Sequence, residues 1–242
     1  MKLVFLGTRG EIEIRTPAHQ RHTSLEVAYR GRRIMIDAGL DWRGLIDEID
    51  PAAIVLTHAH GDHAGGLRGG APCPVYACPE TWECLSERRF PVHRRTIEHR
   101  APVEICGITF EAFPVEHSVR APAVGYRITA GRVSIFHVPD VVSIPDRRDA
   151  LRGCRMYIGD GASVTRPIVR RRDGRLIGHA PIVAQLSWLE EEGVPRAVFT
   201  HCGSEILRAD PSAIQHRLDA LAAERGSVTA SFATDGMELV LR

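Results

Sequence analysis

Residues 53–65 read Ala-Ile-Val-Leu-Thr-His-Ala-His-Gly-Asp-His-Ala-Gly. The first four form an apolar run typical of a buried strand, and the next residues place three histidines and an aspartate within six positions: His58, His60, Asp62 and His63. Imidazole and carboxylate groups are the ligands that zinc, manganese and iron prefer. Because side chains alternate along an extended segment, the first two histidines are expected on one side. A turn at Gly61 then directs the other two side chains to a neighbouring position, so the stretch predicts a site for two metal ions.

A structural zinc site and a coincidental polar loop both fit the cluster less well. A closed structural zinc site is usually rich in cysteine, and this cluster contains none. A coincidental loop does not account for the four residues directly following an apolar strand. Elsewhere in the chain, Cys73, Cys78 and Cys84 are an alternative zinc knot, but their spacing is irregular and no fourth ligand is evident.

The pattern of short apolar and β-branched runs predicts an α/β domain. Runs bounded by Gly, Pro or Asp are typical of strands, and they occur at Leu3–Leu6, Leu25–Tyr29, Arg33–Ile36, Ala53–Leu56, Ile108–Phe113, Val124–Ile128, Val133–Val138, Met156–Ile158, Ala197–Phe199 and Val228–Phe232. Helical patterns occur at Asp41–Ile49, Pro181–Glu192 and Asp210–Glu224. No linker divides the chain, so residues 1–242 are expected to form one domain with helices covering the outer faces of sheets.

Composition places the chain among ordinary globular proteins. It has 242 residues, 44% of them hydrophobic and 25% charged, with a formal net charge of +1. The apolar runs are far shorter than the roughly 20 residues that cross a bilayer, and the first residues lack the features of a signal peptide. We therefore expect a cytoplasmic protein without a membrane partner.

Further candidate site residues follow other predicted strands. They are Asp37, His117, Asp140 and His201, each just past the carboxyl end of a strand, so their side chains are expected to converge on one rim of the sheets. With the motif at residues 58–63 in this order, nearly the whole chain resembles the metallo-β-lactamase superfamily. The resemblance implies an αββα sandwich, in which two mixed sheets pack face to face and helices cover the outer faces.

The resemblance also implies a ligand set for two divalent ions, zinc or manganese, with iron as a further candidate. One ion is assigned His58, His60 and His117, the other is assigned Asp62, His63 and His201, and Asp140 bridges both. Asp37 is expected to orient a ligand histidine. Two alternatives stay open. Asp160 is a rival for the bridging position, and His117 or His201, each taken singly, could be a core histidine, although their order relative to the motif favours ligands.

Several residues discriminate between branches of the superfamily. Diiron redox members replace the second histidine of the motif with glutamate, so His60 disfavours them, and true β-lactamases commonly carry cysteine at the position of Asp140. Glyoxalase II and lactonase members share the full ligand set. His179 lies where the phosphodiesterase branch, which includes ribonuclease Z and phosphoribosyl cyclic phosphate phosphodiesterase, has its proton donor. The alternative is an exposed loop histidine.

Two departures from that branch leave the substrate open. The Gly10–Gln20 region lacks the cysteine cluster with which the cyclic phosphodiesterase holds a structural zinc. No long insertion resembles the arm with which ribonuclease Z grips tRNA. Two arginine-rich stretches, Arg88–Arg100 and Arg166–Arg175, are candidates for binding phosphate, although such runs are as often solvated loops.

The leading hypothesis is a phosphodiesterase in which a hydroxide shared by two ions attacks a small or cyclic phosphodiester. The catalytic set is then His179 as proton donor, with Asp62 and Asp37. A carboxylic ester, lactone or thioester hydrolase with the same centre is the main alternative, and a non-catalytic metal-binding accessory protein is the second. A short RNA or oligonucleotide end is a further candidate substrate, and a homodimer is compatible with the sequence.

Overall fold

The computed structural model of the chain describes residues 1–226 and 228–242. The strands in these residues are β1 (Lys2–Gly7), β2 (Ser24–Tyr29), β3 (Arg32–Ile36), β4 (Ala53–Val55), β5 (Val75–Ala77), β6 (Arg94–Thr96), β7 (Val103–Ile105), β8 (Ile108–Val115), β9 (Ala123–Ala130), β10 (Val133–His137), β11 (Met156–Asp160), β12 (Ile168–Arg172), β13 (Arg175–His179), β14 (Arg196–Thr200), β15 (Thr229–Phe232) and β16 (Glu238–Val240). The α-helices are α1 (Ile46–Ile49), α2 (Gly61–Ala64), α3 (Pro79–Cys84), α4 (Arg147–Leu151), α5 (Ile182–Glu192), α6 (Ser204–Arg208) and α7 (Pro211–Ala223), and 3₁₀ turns occur at Leu40–Trp42 and Gly65–Leu67.

Fourteen of the described strands form two mixed sheets of seven strands each. The first has the order β16-β1-β2-β3-β4-β5-β6, antiparallel up to β3 and parallel from β3 to β6. The second has the order β15-β14-β11-β10-β9-β8-β7, parallel from β15 to β10 and antiparallel from β10 to β7. The remaining two strands, β12 and β13, pair as a separate antiparallel hairpin.

Apolar side chains bury both faces of each sheet. The layer between the sheets takes residues from both, including Phe5, Val27, Ile34, Phe110, Tyr126, Ile135 and Ile158. On the outer face of the second sheet, helices α5 and α7 pack against aromatic rings, with Leu186, Leu189 and Leu218 beside Phe136, Tyr157 and Phe199. The first sheet is covered at Met35, Ile54 and Leu56 by Trp42, Ile46 and Leu67. The expected layers of helix, sheet, sheet and helix are therefore confirmed.

The ends of the two longest helices follow the sequence signals. Helix α7 starts after Asp210, whose carboxylate accepts a hydrogen bond from the Ala213 N–H at 2.9 Å, and has Pro211 at its first position. Helix α5 ends at Gly193, which has a φ of 70°, a left-handed conformation that glycine adopts without steric cost. The helix predicted over Asp41–Ile49 is wrong as a continuous element. It breaks at residues 43–45, where Gly44 has a φ of 77°.

The topology brings the candidate site residues to one edge of each sheet. Parallel strands end at the same edge, and ligands of α/β proteins bind at the carboxyl ends of such strands. Asp37 follows β3 and His58 lies three residues after β4 in the first sheet. Asp140, Asp160 and His201 follow or end the parallel strands β10, β11 and β14 of the second.

Among the described residues, none of the helices has the length and apolar character needed to span a membrane.

Candidate metal centre

A first group of candidate ligands comes from both sheets. The Nε2 atom of His58 lies 2.9 Å from Nδ1 of His60, and Nε2 of His117 lies 3.3 Å from the same Nδ1. A carboxylate oxygen of Asp140 lies 3.2 Å from His58 Nε2 and 3.7 Å from His117 Nε2. Three ring nitrogens and one carboxylate oxygen therefore converge within 4.8 Å of one another.

The second group shares Asp140 with the first. Oδ2 of Asp140 lies 2.9 Å from His63 Nε2, while its Oδ1 lies 3.1 Å from His201 Nδ1. Oδ2 of Asp62 lies 3.3 Å from His63 Nε2 and 3.2 Å from His201 Nε2. All seven residues predicted as ligands are thus brought together in two adjacent groups that meet at Asp140.

Asp160, the rival for the bridging position, has other partners. Its Oδ2 accepts hydrogen bonds from the Val141 N–H at 3.0 Å and from His179 Nδ1 at 2.8 Å, and its Oδ1 accepts one from the Ala162 N–H at 2.8 Å. The side chain is fully buried. Asp160 belongs to neither of the two groups above, although it forms a third group with His179, Asp140 and His201. This geometry favours Asp140 as the residue shared between two ions.

Asp37 lies behind the cluster and is linked to both groups, directly to His63 and through Thr57 to His58. Its carboxylate accepts a hydrogen bond from His63 Nδ1 at 2.9 Å and from the Thr57 hydroxyl at 2.8 Å. Since the Thr57 hydroxyl donates to Asp37, it accepts from His58 Nδ1, 3.0 Å away. Both histidines therefore carry their proton on Nδ1 and turn Nε2 towards the cluster. Such outer partners fix the tautomer and orientation of a ligand histidine.

His117 is oriented by a backbone carbonyl. Its Nδ1 donates to the carbonyl oxygen of Gly178 at 2.9 Å, which leaves Nε2 free on the side of the cluster. The Gly178 N–H in turn donates to the His117 carbonyl oxygen at 2.8 Å. The hairpin of β12 and β13 is thus attached to the candidate ligand, and the same strand ends at His179.

Two of these residues have unusual backbone conformations. Asp37 has a φ of 61° and His201 a φ of 53°, both in the left-handed region that side-chain-bearing residues rarely adopt. Such strain costs about 1 kcal/mol or more and persists where the surrounding structure imposes it. Both residues lie at the point where a buried strand turns sharply into the site.

Burial and unpaired atoms test whether the donor set fits metal ions. His58 and His63 are fully buried, and Asp62, Asp140, His117 and His201 are at most 5% exposed. Four of their polar atoms are buried and form no hydrogen bond in the described structure, because the close contacts given above lack hydrogen-bond geometry: Asp62 Oδ1, His63 Nε2, Asp140 Oδ1 and His201 Nδ1. An unsatisfied buried polar atom costs about 1–3 kcal/mol. Cations at these positions would satisfy all four, so the nitrogen and oxygen donor set fits divalent metal ions.

The buried charges of the cluster shift the pKa values of the candidate ligands in different directions. Burial would raise the pKa of Asp140, but the surrounding histidines, His201 first, hold it well below the usual carboxyl range. Burial and then His63 hold the pKa of His58 well below its usual value, so its ring is neutral. Burial lowers the pKa of His63, yet the charges of Asp62 and other carboxylates raise it well above the usual value. Ionised Asp140 and neutral His58 are therefore in the forms that bind metal, whereas His63 would release a proton when a metal ion binds.

His179 stands at the rim of the cluster. It is 20% exposed, and its Nδ1 lies 2.8 Å from Asp160 Oδ2 and 3.5 Å from Asp140 Oδ1. Its ring stacks on that of His201, with centroids 5.4 Å apart. Burial alone would lower the pKa of His179, but the charge of Asp160 and its hydrogen bond raise it to about 9. The ring is therefore positioned to carry a proton at neutral pH, with Nε2 as its unengaged nitrogen.

A cavity of about 670 Å³ opens beside His179 and His201 and includes residues that the sequence analysis missed. They include Glu11, Ser204 and Arg208. These residues are brought together by contacts between distant segments of the chain, which local sequence patterns do not predict. Of the arginine stretches, Arg166 lines this cavity. In the other stretch, Arg94 donates to the Leu85 carbonyl at 2.6 Å and Arg100 pairs with Asp146 at 3.0 Å. Both arginines are therefore engaged in contacts within the protein.

The cysteine zinc knot finds no support in the part of the chain described here. None of the groups of side chains able to hold a metal includes a cysteine. Cys78 is buried, whereas Cys84 is exposed.

A family model and curated sequences match this chain. The model described as a beta-lactamase superfamily domain matches residues 32–202. An octanoyltransferase of Porphyromonas gingivalis is 26% identical over 78% of this chain and 40% of its own length. A ribonuclease Z of Methanopyrus kandleri is 29% identical over 71% of this chain and 66% of its own. The chain thus spans less than two thirds of the length of these curated relatives.

Solved structures share the fold over nearly the full length. Zn²⁺-bound PqqB from Methylobacterium extorquens has a TM-score of 0.77 and 21% identity, and the match covers 100% of both chains. A diphosphatase from the PhnP family has a TM-score of 0.75 and 24% identity, with 98% of this chain and 96% of that chain covered.

Proposed function

The chain belongs to the beta-lactamase superfamily, and on that basis we propose that it is a hydrolase with two divalent metal ions that acts on a small or cyclic phosphodiester. We favour a phosphodiester substrate because His179 is paired with Asp160 at the rim of the metal cluster. The similarity to ribonuclease Z sequences supports the same reaction class.

The first ion is assigned to His58, His60 and His117, and the second to Asp62, His63 and His201, with Asp140 shared. When bound, such ions act as Lewis acids and lower the pKa of a coordinated water to about 7. Asp37 holds His63 directly and His58 through the Thr57 hydroxyl, so two of these ligands are held in place before any ion arrives. Zinc and manganese are the preferred candidates because the donors are nitrogen and oxygen.

His179 is assigned the role of general acid. A departing alkoxide needs a proton, and general acid catalysis contributes about 10²–10⁴-fold to such a step. Asp160 keeps Nδ1 of the ring occupied and favours the protonated form, so the proton passes to the leaving oxygen from Nε2. Asp160 acts through His179 and is a positioning residue.

The main competing reaction is the hydrolysis of a carboxylic ester, lactone or thioester at the same centre. A thioester expels a thiolate, which is less basic than an alkoxide. A proton donor therefore contributes less to thioester hydrolysis. The full ligand set and the pairing of His179 with the buried Asp160 favour an enzyme over a metal-binding accessory protein.

A substrate panel tests the proposal. The protein, loaded with zinc or with manganese, is assayed on bis-p-nitrophenyl phosphate, cyclic nucleotides and short RNA ends, and in parallel on lactones and thioesters. We expect turnover of phosphodiesters and little or none of the acyl substrates. Turnover confined to the acyl substrates would assign the centre to acyl hydrolysis instead.

A further inference from the structure

The segment that follows β1 lies directly against the candidate metal centre. The Gly10 N–H donates to the carbonyl oxygen of Cys202 at 3.1 Å, next to His201 in the chain. A Cβ atom on Gly10 would lie 3.1 Å from His201 Cε1, so any larger side chain there would press on the candidate ligand. The absence of a side chain allows this close approach and places the next residue, Glu11, at the mouth of the site.

A buried arginine fixes the chain on both sides of Glu11. Arg9 is only 2% exposed, and its guanidinium donates to the carbonyl oxygens of Gly10, at 3.3 Å, and of Ile12. The same guanidinium pairs with the carboxylate of Asp41, which anchors it to the 3₁₀ turn at Leu40–Trp42. A buried arginine with this many partners holds one geometry, because leaving its charge unpaired would be costly. The backbone of Glu11 is therefore held in place.

The cavity beside His179 contains charged side chains that the protein itself leaves unpaired. Glu11, Arg166 and Arg208 all line it. None of the three forms an ion pair within residues 1–226 and 228–242, whereas Glu205, another lining residue, is paired with Arg217 at 2.8 Å. A negative and two positive groups are thus available to a bound molecule.

If His179 donates its proton to the leaving oxygen, the leaving group lies in this cavity. We propose that Glu11 is a specificity-determining residue that accepts hydrogen bonds from hydroxyl groups of the leaving group. This inference rests on the proposed phosphodiesterase function and adds the chemistry of one half of the substrate. If the leaving group had no hydrogen-bond donors, the Glu11 carboxylate would stay unpaired and its negative charge would repel the phosphate. A cationic leaving group is disfavoured by the two arginines.

A matched pair of substrates tests the role of Glu11. Ethyl glyceryl phosphate and ethyl propyl phosphate differ only in two hydroxyl groups, and release of glycerol or propanol is measured. A hydrogen bond to a charged group contributes about 1.5–3 kcal/mol, so the wild-type protein is expected to prefer the glyceryl ester by about tenfold or more in kcat/KM. In Glu11→Gln this preference should fall to about threefold or less. Glu13→Gln, on the same segment but outside the cavity, should keep the wild-type preference.

A preference that survives in Glu11→Gln, or that is lost equally in Glu13→Gln, would overturn the proposal. Binding supplies a second readout that does not depend on turnover. Calorimetric affinities for glycerol 1-phosphate and propyl phosphate are compared in the wild-type protein and in Glu11→Gln, and we expect the glycerol ester to lose its advantage in the variant. If no phosphodiester is hydrolysed, the proposed function fails, and equal binding of the two monoesters by the wild-type protein then refutes the role of Glu11 separately.

Discussion

Nδ1 of His179 lies 2.8 Å from Oδ2 of the fully buried Asp160. The same carboxylate is held by the N–H groups of Val141 and Ala162, so it cannot turn away from the ring. This relationship separates two aspartates that the sequence alone leaves as rivals. Asp160 orients a histidine at the rim, and Asp140 lies between the two groups of candidate ligands.

Replacing His179 tests its role as a proton donor. In His179→Ala, turnover of an alkyl phosphodiester should fall by about 10²–10⁴-fold. The loss on a nitrophenyl diester should be far smaller, because nitrophenolate leaves without a proton. Metal content, measured by elemental analysis, should stay at the wild-type level since the seven candidate ligands remain. An equal loss on both substrates would indicate electrostatic positioning instead, and no loss on either would leave His179 without a role in catalysis.

The two aspartates should respond differently to removal. Asp140→Ala should loosen both ions and abolish turnover, because this carboxylate lies 2.9 Å from His63 and 3.2 Å from His58. Asp160→Ala should keep most of the metal but lose activity, because His179 would no longer be held by the Asp160 carboxylate. Metal content after dialysis against a weak chelator distinguishes the variants. If Asp160→Ala lost the ions and Asp140→Ala kept them, the shared ligand would be assigned wrongly.

Thr57 is predicted to support metal binding without touching an ion. Thr57→Val keeps the shape of the side chain but breaks the hydroxyl contact between Asp37 and His58. Loss of such an outer partner typically weakens metal affinity about 10–100-fold. Thr81→Val, at an equally buried threonine of α3, is the control and should bind metal as the wild-type protein does. Equal affinity in the two variants would contradict the support role.

The arginines of the two stretches should differ in effect. Arg170 is exposed on β12 and forms no ion pair in the described part of the chain, so Arg170→Ala should raise KM for anionic substrates. That effect should shrink at 1 M salt, where charges are screened beyond about 3 Å. Arg94 lies 4.8 Å over the ring of Trp82 and donates to Leu85, so Arg94→Ala should lower the melting temperature and leave KM unchanged. A KM for Arg170→Ala equal to that of the wild type would make Arg170 a solvated surface residue.

Elements with strong local patterns were predictable from the sequence. All ten predicted strands are present within a few residues of their expected bounds, because each is a β-branched run that ends at Gly, Pro or a polar residue. Six of the described strands were missed: β5, β6, β7, β12, β13 and β16. Two of them, β6 and β12, are rich in arginine and depend on pairing with a neighbour. The helix predicted over residues 41–49 failed because Gly44 interrupts it.

Candidate ligands were predictable for a different reason. Each lies just after the end of a strand, and parallel strands gather such residues at one edge. Glu11 and Arg9 carry no such signal. Their position depends on the contact of Gly10 with Cys202, about 190 residues away in the chain, which only the folded structure brings together.

Phosphodiester hydrolysis by this protein is expected to need two ions at this cluster. The direct measurement is a titration of metal-free protein with zinc or manganese while bis-p-nitrophenyl phosphate hydrolysis is followed. We expect activity to rise with added metal and to saturate at about two ions per chain. Full activity at one ion per chain, or no hydrolysis at any metal concentration, would contradict this expectation.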